Sequence, residues 1–190
     1  MIDERLRLFV AMPIGAELRD ALRSAVAGWR IDEDLAGLRW TDPESWHITL
    51  AFLGSTEAAA VPRMLGRLAP VAEAHAATIS RTGAIGAFPT PTRARVAWYG
   101  VQDVDGRMSR LAADVGAALD LDTSRPLRPH LTLARAGRQP VDLRSWLASA
   151  SAPEGELVAD RIALMRSHLG GGAARYETLA SMKLGVPAGV

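Results

Sequence analysis

Two short segments of this chain carry residues that could do chemistry together: His47-Ile48-Thr49-Leu50 and His130-Leu131-Thr132-Leu133. Each sets an imidazole and a hydroxyl two positions apart, with an apolar residue between and after them. In an extended strand, residues two apart share a face. His47 with Thr49, and His130 with Thr132, therefore project to one side, while Ile48, Leu50, Leu131 and Leu133 turn the other way into a core. One such tetrapeptide is an ordinary strand with a hydrogen-bonded histidine. Two of them, in opposite halves of a 190-residue chain, suggest a pair. If the halves are related by a pseudo-twofold axis, two imidazoles face each other across a cleft with two hydroxyls beneath. That layout suits in-line displacement at phosphorus, one imidazole activating the nucleophile while the other protonates the departing oxygen. Histidine serves either role because its ordinary pKa of about 6.5 lets one copy be neutral and the other charged near neutral pH. Spacing alone does not say which copy is which.

The elements that must hold these residues follow from hydrophobic periodicity. A period-two run over 5–12, with Leu6, Leu8 and Val10 on one face, predicts a strand ended by Pro13, and helical spacing over 16–29 predicts an amphipathic helix. Residues 38–40 read as a short extended piece and 46–54 as a buried strand closed by Gly54. A second helix is expected over 56–76, strands over 77–86 and 94–100, and a third helix over 105–119. The second HxT segment forms a strand over 130–135, followed by a short helix over 143–150. Two strands, 157–167 and 175–184, then close the chain around Gly170-Gly171-Gly172, with a flexible tail at 186–190. Helices mixed with mostly adjacent short strands favour an α+β fold over a doubly wound parallel sheet. The expected organisation is one domain over 1–185.

Composition bounds the rest. Charged residues make up 23% and hydrophobic residues 48%, which is ordinary globular composition. A net charge of +1 gives no whole-surface attraction to nucleic acid or membrane, so any anion site must be local. Among the basic residues Lys183 is the one lysine, and the rest are arginines, whose planar fork suits phosphate. The absence of cysteine removes thiolate nucleophiles, disulfides and cysteine-held metal clusters, and it fits a reducing cytosol. With no signal-like start and no long apolar run, a soluble cytoplasmic protein is expected.

At this point the residues resemble a known family. The two HxTx motifs are the hallmark of the 2H phosphoesterases. Blocks at Arg7-Leu8-Phe9-Val10-Ala11, His47 through Gly54, Gly86-Ala87-Phe88-Pro89, Arg95-Val96-Ala97-Trp98, Arg125 through Arg135 and Arg175-Tyr176-Glu177 are similar to its RNA 2′,3′-cyclic phosphodiesterase branch, historically called 2′-5′ RNA ligase. The resemblance implies a bilobal fold, two pseudo-twofold-related lobes each with an antiparallel sheet flanked by helices, and HxTx strands facing a central cleft. It implies hydrolysis of cyclic phosphate ends to 2′-phosphomonoesters with no metal or cofactor. It casts His47 as proton donor and His130 as proton acceptor, with Thr49 and Thr132 on the non-bridging oxygens. Expected partners are RNA ends or small cyclic-phosphate nucleotides, with no membrane and no obligate protein partner, hence a monomer. Alternatives are the same chemistry on ADP-ribose cyclic phosphate or 2′-5′-linked oligonucleotides, and a non-catalytic RNA-binding module on the same fold.

Several other residues have two readings. Arg135 completes an HxTxxR pattern and could clamp phosphate, yet strict alternation puts it on the face opposite His130 unless a bulge or twist brings it round. Arg93, Arg95, Arg125 and Arg128 lie near loops expected to rim the cleft. His75 suits a helix C-terminus and His168 a surface loop. The five tryptophans read mostly as core, with Trp46 and Phe88 as candidate base-stacking platforms.

Overall fold

The computed structural model describes residues 4–168 and 175–185. Among these residues the chain forms nine strands and four α-helices: β1 (Arg5–Pro13), α1 (Ala16–Trp29), β2 (Leu38–Trp40), β3 (His47–Glu57), α2 (Val61–Ala74), β4 (Thr78–Phe88), β5 (Val96–Val101), α3 (Arg107–Ala118), β6 (His130–Ala136), α4 (Arg144–Ser149), β7 (Gly155–Ala159), β8 (Arg161–His168) and β9 (Arg175–Lys183). The class is α+β, and every strand pairing is antiparallel.

The spatial order is β7-β4-β5-β6-β3-β1-β8-β9, with β2 attached to β6. Two four-strand runs thus meet at β6 and β3, where the one registered pair is Ile48 opposite Leu131. Hydrogen bonding follows one continuous path, where the sequence reading expects two sheets.

Apolar periodicity explains the layering. Leu18, Leu22 and Val26 recur every four residues on α1, and all three are buried. Met108, Leu111 and Val115, spaced by three and then four residues, are buried likewise on α3, whose start is capped by the Asp103 carboxylate, accepting from the Met108 and Ser109 amides at 3.0 and 2.9 Å. These helices and α2 share one core with Leu6, Leu8, Val10, Ile48, Leu50, Tyr99, Leu131 and Leu133. The opposite face of the sheet is left for the two HxT segments.

Two boundaries depart from the periodicity. The expected helix over 56–76 begins only at Val61, because β3 continues pairing with β1 as far as Glu57 opposite Arg5. The expected single strand over 157–167 is two strands. It breaks at Asp160, after which β7 pairs with β4 at one end of the sheet and β8 with β1 and β9 at the other. Asp160-Arg161 interrupts the apolar run at the break, but a charged pair also suits an exposed stretch of a single strand, so it does not by itself reveal that the chain crosses between halves there. The expected triple-glycine loop and the tail at 186–190 lie outside the described residues.

Candidate active site

His47 opens β3 and His130 opens β6. Ile48, between the polar pair of one strand, and Leu131, between that of the other, are both fully buried and directly opposed. Antiparallel register from that pair sets His47 beside Thr132 and Thr49 beside His130. Each histidine therefore has the other segment's hydroxyl across from it. The expected shared face is present.

The two rings are held alike. The His47 Nδ1 lies 2.7 Å from the Ser45 carbonyl oxygen, and the His130 Nδ1 lies 2.6 Å from that of Arg128. A carbonyl only accepts, so each Nδ1 carries the proton and donates it to the residue two positions upstream. Nε2 is thereby the atom at which each neutral ring can take a proton and from which each protonated ring can give one. Burial lowers the pKa of both rings, and the carbonyl bonds oppose this. The Arg135 charge depresses both further, and His130 also depresses His47.

Arg135 reaches that position through a β-bulge. Against β5, Gly100 opposes His130 and Trp98 opposes Thr132, but the next step pairs Ala97 with Ala134 and Val96 with Arg135. Leu133 is the inserted residue, and both Leu133 and Ala134 turn into the core. The alternation slips by one, so Arg135 joins His130 and Thr132 on the open face. On that face its side chain is exposed to solvent. The same device occurs in β3. Pro13 opposes His47, Ala11 opposes Thr49, and after the inserted Leu50 the pairs are Val10 with Ala51 and Phe9 with Phe52. Phe52 thus occupies in the first half the place of Arg135 in the second, and it stays exposed.

Thr41 braces the second bulge. Its buried hydroxyl lies 2.8 and 2.9 Å from the Thr132 and Leu133 carbonyl oxygens, its amide donates to the same Leu133 oxygen at 2.9 Å, and it accepts the Trp46 indole N–H at 2.7 Å. Trp46, one residue before His47, is 3% exposed, which excludes it as a stacking platform and makes it a tie between the HxT strands.

The surroundings of the two histidines differ. Phe9 lies 4.9 Å from the His47 ring centroid, and Tyr176 meets that ring edge-on at 5.1 Å. Beneath them Phe9, Ala11, Ala163 and Met165 form a small apolar floor. Phe88 meets His130 edge-on at 5.1 Å, and Trp98 stands behind it at 6.5 Å. Phe88 keeps its candidacy as a platform. Trp98, read from sequence as core, is half-exposed on the open face. Phe9, Tyr176, Phe52 and Thr41 are absent from the sequence-derived site. Arg128 lines a cavity beside His130, whereas Arg95 donates to the Arg138 carbonyl at 2.9 Å, and Arg93 and Arg125 are exposed. His75 pairs with Asp114 at 2.7 Å and His168 with Glu177 at 2.9 Å, both apart from the HxT face. Among the described residues, no three His, Asp or Glu side chains converge as a metal site. No described helix is long and apolar enough to cross a membrane.

Known proteins align with this arrangement. Residues 13–98, which include His47 and Thr49 but stop short of His130, match the LigT-like phosphoesterase family. An RNA 2′,3′-cyclic phosphodiesterase of Archaeoglobus fulgidus is 32% identical over 137 residues, spanning 70% of this chain and 74% of that protein. One from Geobacillus stearothermophilus is 34% identical over 206 residues and 98% of this chain, which spans 60% of that relative's length. Among solved structures, a Thermus thermophilus protein superposes with a TM-score of 0.75 at 26% identity, covering 96% of this chain and all (100%) of that one. Escherichia coli LigT complexed with ATP gives 0.67 at 25% identity, over 96% and 99% of the two chains.

Proposed function

The chain belongs to the LigT-like phosphoesterase family, and on that premise we propose that it hydrolyses 2′,3′-cyclic phosphate ends of RNA or nucleosides to 2′-phosphomonoesters. The observation that carries the reading is the matched pair of HxT segments, each with an Nδ1-anchored histidine, side by side at the Ile48–Leu131 pair of β3 and β6. The names of the curated relatives supply the substrate class.

In this mechanism His130 Nε2 takes a proton from water as the water oxygen attacks phosphorus. The bond from phosphorus to the ribose 3′ oxygen breaks, and protonated His47 delivers its Nε2 proton to that oxygen. The phosphate stays on the 2′ position. Casting His47 as acid and His130 as base follows the family resemblance, since the two rings are anchored alike. Thr49 and Thr132 donate hydrogen bonds to the non-bridging oxygens, and Arg135 offsets their growing charge. Both histidines have lowered pKa values in the free protein. The arriving phosphodiester anion opposes the depression by Arg135 and favours the charged form of the acid.

The test is turnover of a cyclic-ended oligonucleotide in EDTA, with the product identified. A 2′-phosphomonoester is expected, with turnover collapsing in both His47→Ala and His130→Ala. Undiminished turnover in either variant, or complete loss in EDTA with the unsubstituted chain, overturns the two-histidine reading. A substrate panel including ADP-ribose cyclic phosphate and 2′-5′-linked oligonucleotides fixes which ester is preferred. Binding across that panel without turnover would identify a non-catalytic module instead.

A further inference from the structure

At the end of β6 away from His130, two arginines stand side by side on neighbouring strands. Arg39 of β2 is in register with Arg135 of β6, and residues so paired share a face of the sheet. Leu38, Trp40, Ala134 and Ala136 turn the other way into a second apolar cluster, which leaves Arg39 with Arg135 on the open face. Both are exposed. Like charges directly opposite each other destabilise a sheet, so a pair of this kind calls for an anion. In the first half the protein supplies one: Arg5 opposes Glu57 in the β1–β3 register, its Nη1 3.6 Å from the carboxylate. Among the described residues, no carboxylate pairs with Arg39 or Arg135. A third guanidinium lies at the same end. Arg95, just before β5, donates to the Arg138 carbonyl at 2.9 Å and likewise has no carboxylate partner there.

Position separates this cluster from the reacting phosphate. A Cβ at Gly137 would lie 3.5 Å from the Arg39 Nη2, so that guanidinium extends over the residue that follows β6. From Thr132 to Gly137 the chain advances roughly 15 Å at the rise of a strand. A phosphate held by Thr132 is therefore out of reach of Arg39. A free nucleoside cyclic phosphate has no second anion to bring there, whereas an RNA strand carries a phosphodiester at every nucleotide. We propose that Arg39, continuing from Arg135 and flanked by Arg95, holds the phosphodiester backbone upstream of the cyclic end, so that the protein prefers oligonucleotide ends to free nucleoside cyclic phosphates; the assignment rests on the activity proposed above. Contacts to the backbone position a strand without reading its bases, so the preference is for chain length and not for sequence.

The test compares kcat/KM for a cyclic-ended RNA pentamer with that for the matching nucleoside 2′,3′-cyclic phosphate, over a salt series, in the unsubstituted protein, Arg39→Gln and Arg110→Gln. Arg110, exposed on α3, controls for the loss of one positive charge on the helical layer. The ratio should favour the pentamer by about tenfold or more in the unsubstituted protein, the scale of one hydrogen bond to a charged group. In Arg39→Gln it should shrink by a similar factor, and the log–log salt slope for the pentamer should become shallower by about 0.7, the share of one phosphate on a single strand. Arg110→Gln should leave ratio and slope in place. An unchanged ratio in Arg39→Gln, or an equal loss in Arg110→Gln, overturns the track while leaving the activity standing. If neither compound is turned over, the activity fails, and fluorescence anisotropy of a labelled pentamer ending in a 2′-phosphate decides the track. Affinity that weakens about tenfold in Arg39→Gln but not in Arg110→Gln supports it, and any other result overturns it.

Discussion

The first and second HxT strands use one backbone device and put different side chains on it. Both carry histidine, threonine and a bulge in the same order, and both anchor Nδ1 on the carbonyl two residues upstream. At the position the bulge turns outward, β3 presents Phe52 and β6 presents Arg135. The flanks differ too: Phe9 and Tyr176 pack on His47, whereas Phe88 and Trp98 stand beside His130. Symmetry of the main chain thus supplies two equivalently anchored imidazoles, and asymmetry of the side chains determines what lies on each side of them. At the matched outward position one half offers a cation and the other an apolar side chain.

The largest effect should come from breaking the equivalence outright. His47→Ala and His130→Ala should each lower kcat/KM by about 10²–10⁴-fold. The double variant should be little worse than the poorer single one, because groups acting as a unit are not additive. The two singles should lose opposite limbs of a bell-shaped pH profile, and loss of the same limb in both would contradict separate acid and base roles. Next comes the outward position. Arg135→Leu removes a positive charge that depresses both histidines, so both pKa values should rise and the kcat/KM bell should move to higher pH. KM should climb by about tenfold, the worth of a charge-assisted hydrogen bond. Phe52→Leu should leave the bell where it is, which separates charge from shape at the matched sites.

A smaller effect tests the brace. Thr41→Val strands the Trp46 N–H and removes the hydroxyl from the β6 bulge, which should cost about 1–3 kcal/mol in denaturant unfolding. Because the brace ties β6 to the residue before His47, kcat should fall with it. The smallest effect is on stability against pH. The folded state holds both histidines at lowered pKa, so the unfolded chain takes up protons first as pH falls. Stability should be full above the unfolded value of about pH 6.5 and decline below it toward the lowered folded values. His47→Gln should flatten that decline, and an unaltered slope would show that the buried ring is not its source.

Much of this arrangement is legible in the residues themselves. The bounds of α1, the strand character of both HxT segments and the core-facing Ile48, Leu50, Leu131 and Leu133 all follow from period and residue type. The bulges are not legible, because an inserted Leu50 or Leu133 looks like one more apolar residue in an alternating run. That is why Phe52 carries no signal in the sequence and Arg135 admits two readings. Trp98 reads as core from its size alone. The signal that corrects it is the cross-strand set Ala84, Gly86 and Gly100, which becomes visible only once β4 and β5 are in register. The break at Asp160 is hidden for a different reason, since which end of a sheet a strand joins is a tertiary choice made by partners far away in sequence.

That crossing has a consequence for how the molecule comes into being. During vectorial synthesis β1 is among the first elements made, and β3 covers one of its edges early. Its other edge waits for β8, whose pairing with Leu8 through Ala11 needs residues 163–166. The second half, with β4 through β7 contiguous in the chain, can close while the first is still open. Tyr176, the edge-on partner of His47, arrives later still. Once residues up to about 160 have emerged from the ribosome, a finished His130 side stands beside an apolar, half-edged β1, an exposure that favours chaperone capture until the last two strands emerge.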